Sequence, residues 1–204
     1  MFVPEMLSQS ALSGNDNIKR IPELRGLDLN SHLSIGALTT LEELRRSPLV
    51  SQHFPALSQA AATMASIQIR NLATVGGNLC NAAPSADLAP ILIALKAAAR
   101  INGPQGERCV PLDEFFVGPG RTVLAPDELL TAIEVPRPIG PALYLKHSPR
   151  ECMDIAVVDV GLSLRMKDDR CAEARVVLGA VAPTPLHASR AEAALLDRPS
   201  RAQR

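Results

Sequence analysis

Arg70-Asn-Leu-Ala-Thr-Val-Gly-Gly-Asn78, running on through Asn81, Pro84 and Asp87, constrains this chain more than any other segment. It places a strand-like Ala73-Thr74-Val75, a Gly76-Gly77 turn, a short polar loop and an apolar helix in quick succession. Paired glycines permit a tight turn and let backbone N–H groups come close to a ligand. Thr74, Asn78 and Asn81 add side-chain hydrogen-bond partners beside it. The helix expected from about Ser85 would turn its positive end toward an anion such as a pyrophosphate. Gly-Gly-Asn is equally an ordinary structural turn. The surroundings favour a site, because the flanks 64–69 and 88–95 are apolar enough to be buried. A polar loop held between buried elements is where a rigid scaffold presents function.

Composition removes several classes. The 204 residues suit one or two domains, and 47% hydrophobic residues supply a core. The 21 basic and 21 acidic residues cancel, so no electrostatic footprint points to nucleic acid or an anionic membrane. With no Trp and one Tyr, base-stacking surfaces are scarce. No apolar run approaches the roughly 20 residues of a membrane span. Met1-Phe-Val-Pro-Glu5 lacks the regions of a signal peptide, so the cytoplasm is the expected location. Cys80, Cys109, Cys152 and Cys171 have no Cys-x-x-Cys spacing and read as free thiols. The histidines at 32, 53, 147 and 187 are isolated, and no Gly-x-Ser-x-Gly elbow occurs.

The element order reads as α+β in two units. A strand over 33–37 precedes Thr39-Thr40, which caps a helix carrying Glu42 and Glu43 in its first turn. Ser47-Pro48 stops that helix, and an alanine-rich helix follows over 55–66. A strand over 97–101, the Asn102-Gly103-Pro104 turn and a partner over 108–111 read as a hairpin. Ile133-Glu-Val-Pro136 reads as a strand and the proline-rich 136–141 as a linker. Segments 156–166 and 174–181 are β-rich around a polar turn at 167–170, and 188–196 closes as a helix.

Beyond these local readings, 69–79 followed by Ala83-Pro-Ser-Ala-Asp-Leu-Ala-Pro90 resembles the second FAD-binding motif of the molybdenum hydroxylase flavoproteins. Those are the medium, FAD-carrying subunits of the carbon monoxide dehydrogenase and xanthine dehydrogenase type. Ile21-Pro-Glu-Leu-Arg-Gly26, Ile35-Gly-Ala-Leu-Thr-Thr40, Phe115-Phe-Val-Gly-Pro-Gly-Arg-Thr122, Asp127-Glu-Leu-Leu130, Met153-Asp-Ile-Ala-Val-Val158 and Leu178-Gly-Ala-Val-Ala-Pro-Thr-Pro185 resemble the family in the same order. The resemblance covers about residues 18–197. It implies that 1–137 is part of a vanillyl-alcohol-oxidase-type FAD-binding domain, and that 140–204 begins an α+β C-terminal flavoprotein domain. The family's first glycine-rich motif, of the type Ala-Gly-Gly-Thr-Asp, has no counterpart here, and Arg198 to Arg204 stop where its last helices should begin. The expectation is therefore a chain truncated at both ends.

The resemblance also implies roles for single residues. Thr74, Gly77 and Asn78 would contact the FAD pyrophosphate, with Val75 and Gly76 shaping the turn and Asn81 beside it. Asp87 would hydrogen-bond the cofactor, Leu130 would make an apolar contact, and Lys146 would reach the flavin, where a cation stabilises negative charge on the ring. Taken alone, Lys146 reads as an exposed surface lysine, and Asp87 as a helix N-cap or first-turn acid. No residue need act as acid, base or nucleophile. Electrons would come from 2Fe–2S clusters of a small partner subunit, fed by a molybdenum cofactor in a large one, and leave from FAD to NAD+ or another acceptor. One branch of the family inserts a cysteine-rich cluster loop after the glycine motif. Here Cys80 leads straight to Asn81 and Pro84, so no cluster is expected in this chain. The competing expectation is a non-catalytic remnant that serves only as an interaction module.

Overall fold

The computed structural model describes residue 18, residues 21–150 and residues 153–199. Expectations resting on residues 1–17, on Cys152 and on 200–204 lie outside that set. Among the described residues a 3-10 turn (Pro22–Leu24) leads into β1 (Leu27–Leu29) and β2 (His32–Gly36), an antiparallel pair. Thr40 then caps α1 (Leu41–Arg46) as expected: its hydroxyl accepts from the Glu43 N–H, and Glu43 answers by accepting from the Thr40 N–H at 2.7 Å. Ser47 stops α1 as expected but also caps α2 (Pro48–His53), a helix that the sequence reading leaves unassigned. The alanine-rich helix α3 (Pro55–Thr63) ends before the expected Ser66, because Ala65 takes a positive φ and Ser66 caps a new single turn, α4 (Ile67–Arg70).

The expectation that 64–69 is buried holds for Met64, 5% exposed, and fails for the rest of the segment. Ile67 and Ile69 are 42% and 53% exposed, and Leu72 is 72% exposed. Arg70 turns inward instead, donating to Glu42 at 2.9 Å and to the carbonyls of Met64 and Ala65. Glu42 is only 4% exposed and also accepts from Arg45 and Arg46. Hydrogen bonds from Arg45 above all, against the cost of burial, hold its carboxyl down at about 2. One carboxylate thus ties α1 to the segment leading into the glycine motif.

The motif itself forms α5 (Val75–Cys80), and α6 (Leu88–Ala94) follows. After α6 come the hairpin β3 (Ala98–Gly103) and β4 (Gly106–Pro111), then α7 (Leu112–Phe115). A short ribbon follows, β5 (Phe116–Gly118) with β6 (Arg121–Thr122), and then β7 (Leu129–Pro136). The first sheet is wholly antiparallel in the order β1-β2-β7-β3-β4. Residues 137–141 connect to a second antiparallel sheet, ordered β11-β10-β9-β8. Its strands are β8 (Ala142–His147), β9 (Val158–Lys167), β10 (Arg170–Gly179) and β11 (Leu186–His187), and α8 (Ser189–Leu195) closes the described chain. Antiparallel sheets with helices set apart from them are the expected α+β class.

Every residue of α6 is buried, and in sequence it falls between β2 and β3 of the first sheet. It packs against α3 on one side and against β9 and β10 on the other. Gly161 and Gly179 make the second contact possible, since a Cβ at either would run into Pro90. The opposite face of the second sheet stays apolar, with Leu143, Leu145, Val160, Leu162 and Val176 bordering a groove of about 400 Å³ under α8. Among the described residues no helix is long and apolar enough to cross a membrane.

Candidate functional site

Gly76 and Gly77 do not make a turn. Thr74 is extended, at φ −110° and ψ 160°, and caps α5, so both glycines sit in the first turn of a six-residue helix. The strand-like reading of 73–75 survives only as a single bridge between Thr74 and Thr40. Gly76 is needed for close approach, because a Cβ there would lie 2.7 Å from the Ala37 carbonyl oxygen and 2.8 Å from the Ala37 Cβ. The backbone N–H groups expected to face a ligand are already used. Val75 donates to the Thr39 carbonyl at 2.9 Å and Gly76 to that of Ala37 at 2.8 Å. Gly77 donates to Thr74 Oγ1 at 3.0 Å, and Asn78 to the Thr74 carbonyl at 3.0 Å.

What α5 leaves over is side-chain capacity. Asn78 Oδ1 is buried without a hydrogen-bond partner among the described residues. Such an atom costs about 1–3 kcal/mol if nothing satisfies it. Thr74 uses its hydroxyl oxygen as an acceptor and has its proton to give. Asn81, at the C-cap of α5, is exposed. Side chains, and not the backbone N–H groups of 75–78, therefore keep hydrogen-bonding capacity at the motif. They suit a polar ligand segment such as a dinucleotide's phosphates and hydroxyls. The following loop is pinned in place by Gly120 donating to the Ala82 carbonyl and Ala180 donating to that of Pro84.

Asp87 stands at the N-cap of α6 but does not cap it. It puts a carboxylate, not an anion-binding N-terminus, at the start of a helix that begins at Leu88 and not at Ser85. Its side chain turns toward β8, where Lys146 Nζ lies 3.0 Å from Oδ1 and 3.2 Å from Oδ2. The Lys146 side chain is 6% exposed, so the surface-lysine reading is overturned. Tyr144, fully buried, donates to Asp87 Oδ1 at 3.0 Å, and its oxygen also lies 3.3 Å from Asp159 Oδ2. Burial, reinforced by the Asp87 charge, pushes Asp159 up to about 7, against the opposing pull of Tyr144, Lys146 and the Gly179 amide. Burial and the two carboxylates push the Tyr144 phenol far above its usual range.

The structure thus pairs Asp87 with Lys146 and groups Thr74, Val75, Gly76, Gly77, Asn78 and Asn81 on α5. Leu130 lies apart in the core, 3% exposed on β7, a strand against which α5 packs. Sequence reading missed Tyr144 and Asp159, which carry no local signal because their partner Asp87 is 57 residues from Tyr144. It also missed a clamp in which His187 lies 2.6 Å from Asp113 and 2.8 Å from Glu192, tying β11 to α7 and α8. Cys80, Cys109 and Cys171 are free thiols, and burial pushes Cys80 up to about 12. No group of three His, Cys, Asp or Glu side chains among the described residues is placed to hold a metal.

Residues 15–138 match the model of the FAD binding domain in molybdopterin dehydrogenase, and residues 143–204 match the CO dehydrogenase flavoprotein C-terminal domain. The chain is 38% identical over 182 residues to the xanthine dehydrogenase FAD-binding subunit of Escherichia coli O157:H7, covering 86% of this chain and 62% of the relative. It is 34% identical over 184 residues to the carbon monoxide dehydrogenase medium chain of Hydrogenophaga pseudoflava, covering 89% and 64%. A solved carbon monoxide dehydrogenase from that organism superposes with a TM-score of 0.84 at 37% identity, covering 89% of this chain and 64% of the other. Quinoline 2-oxidoreductase from Pseudomonas putida 86 gives 0.83 at 30% identity, over 89% and 64%. The chain therefore spans a little under two thirds of the length of these relatives. From the glycine helix to the second sheet, it belongs to the family of FAD-binding medium subunits of the molybdenum hydroxylases.

Proposed function

We propose that this chain holds FAD as the electron-transferring part of a molybdenum hydroxylase, with residues 1–137 as the FAD-binding domain and 140–204 as the C-terminal domain. Electrons would arrive from 2Fe–2S clusters of a small partner subunit, downstream of a large molybdopterin-binding subunit, and depart to NAD+ or another acceptor. The complex would work in the cytoplasm. The observation that carries the reading is the buried amide oxygen of Asn78, unpartnered among the described residues and fit to accept from a ligand hydroxyl, beside the Thr74 hydroxyl, whose proton a phosphate oxygen could accept. FAD supplies the redox chemistry when bound, so the chain contributes binding, orientation and charge. Thr74, Gly77, Asn78 and Asn81 would line the polar part of the cofactor, while Val75 and Gly76 let α5 dock tightly enough to present them. Asp87 would meet a hydroxyl, Leu130 would support the site from the core, and Lys146 would bring positive charge toward the ring.

An FAD titration followed by flavin fluorescence tests this. Saturable binding is expected, weakened by Asn78→Ala about twofold to tenfold, as for one hydrogen bond between neutral groups. A folded chain that fails to bind, or binding unchanged by Asn78→Ala, would overturn it. One observation favours a second reading, an interaction module that holds no FAD by itself. All four backbone N–H groups of residues 75–78 are spent internally, so affinity rests on side chains alone. The same titration decides between the two.

A further inference from the structure

Two carboxylates, Asp87 and Asp159, lie within hydrogen-bond reach of one phenol oxygen, at 3.0 and 3.3 Å. Tyr144 has a single proton and can donate to only one of them. The shorter contact assigns that proton to Asp87, which also takes the Lys146 ammonium. An ionised Asp159 would then face the phenol oxygen lone pair to lone pair, with no hydrogen bond between them. Asp159 is 1% exposed and Asp87 8% exposed, so water cannot relieve the conflict.

The charge count leads the same way. The groups facing Asp159 are Tyr144 and Lys146 from β8, Asp87 from the start of α6, and the Gly179 amide from β10. With both acids ionised, a buried cluster would hold two negative charges against one positive. With one proton added, it is neutral. Lys146 and Asp159 are direct partners across the β8–β9 ladder, and Gly179 faces Asp159 across β9–β10. A Cβ at Gly179 would overlap Asp159 Oδ1, so the strand leaves room for the acid and nothing larger.

We propose that folding keeps Asp159 a neutral carboxylic acid from acid up to near-neutral pH, a positioning residue that donates to Tyr144 so that Tyr144 can donate to Asp87. The relay leaves Lys146 facing one negative charge instead of two, which keeps its positive charge available to a ligand. That last consequence rests on the flavin reading above, whereas the protonation does not. The proposal agrees with the upward shift of the Asp159 carboxyl.

The test uses the 204-residue chain without cofactor, its aspartate side-chain carboxyls isotope-labelled, and infrared spectroscopy across pH. A protonated-acid C=O band is expected at about pH 5, fading as pH rises through about 7. Asp159→Asn should abolish it, and Tyr144→Phe should keep it but shift it upward as its acceptor is lost. Denaturation supplies a second readout. An acid whose pKa is raised on folding makes stability fall as pH rises from the unfolded value toward the folded one. The wild-type ratio of folded to unfolded chain should therefore drop about tenfold per pH unit between about 4 and about 7, relative to Asp159→Asn. No acid band in the wild type, a band that survives Asp159→Asn but is lost in Asp87→Asn, or parallel stability profiles would each overturn the proposal. A chain that passes these tests yet binds no FAD would refute the flavin reading alone.

Discussion

Gly76 and Gly77 are neighbours of identical chemistry in one helical turn, yet replacing each with Ala should have unequal effects. At Gly76 the new methyl would lie 2.7 Å from a backbone oxygen and 2.8 Å from the Ala37 Cβ, and neither can rotate away. Overpacking of that kind costs about 1–3 kcal/mol, and loosening the Gly76 N–H bond to Ala37 adds up to about 1. Helix propensity returns about 1 kcal/mol. The net expectation is a loss of about 0–3 kcal/mol, centred on about 2 if the Ala37 backbone does not give way. At Gly77 the only close atom is Thr74 Oγ1 at 3.0 Å, the tip of a side chain that can turn. Losing part of that cap costs about 1 kcal/mol and helix propensity returns about the same, so the change is near zero. The two variants should thus differ by about 2 kcal/mol, or roughly 4–8 °C in Tm for a chain of 204 residues. Thermal and urea denaturation without cofactor measure the gap. Equal destabilisation, or a more stable Gly76→Ala, would refute the argument that α5 is docked on Ala37 through a bare backbone.

Other perturbations follow from the charged clusters. Lys146→Met should cost about 3–5 kcal/mol by leaving Asp87 buried and unpaired, and adding Asp87→Asn should recover part of the loss; additive effects in urea denaturation would contradict the pairing. Burial alone would lower the His187 pKa, but Glu192 and Asp113 outweigh it and raise it above 6.5. The His187 clamp should therefore stabilise fully below about pH 6.5 and fade as pH rises through the higher folded value, a loss absent from His187→Gln in Tm–pH profiles. Glu42 is shifted the opposite way, to about 2. Its contribution should be complete above about pH 4.3 and disappear as pH falls through about 2, and Glu42→Gln should flatten that acid limb at a cost of roughly 3 kcal/mol near neutrality.

How legible this was from sequence depended on the range of the interaction. The capping box Thr40–Glu43, the 98–111 hairpin and the β9–β10 pair around Asp168 and Asp169 are local, and the residues themselves signal them. The motif was found but its geometry was misread. A Gly-Gly pair signals a turn by propensity, and only the distant Ala37 backbone explains why two glycines sit in a helix. Ile67 and Ile69 looked like core because apolarity says nothing about direction, and the inward-facing residue proved to be Arg70. β8 was not assigned a strand at all. Its Ala-Leu-Tyr-Leu-Lys-His lacks a polar alternation, because Leu143 and Leu145 point to the apolar outer face while Tyr144 and Lys146 point inward. Asp87 and Lys146 were both singled out, but their ion pair spans 59 residues and appears only in three dimensions.

Helix α6 has a consequence for how such chains can be recombined. By sequence it precedes the 137–141 connection, yet it packs against β9 and β10 beyond it, and its Ile93 carbonyl accepts from Arg175. The exposed link at Ile139 is therefore a seam in the chain but not in the packing. A chimaera of two relatives joined at that link would set one parent's Pro90 against the other's Gly161 and Gly179, where there is no slack for a mismatched side chain. A crossover placed before residue 88 would carry the helix along with the strands it touches. The seam's exposure also means that cutting it need not separate the halves, since the buried helix would hold the two fragments together as a noncovalent pair.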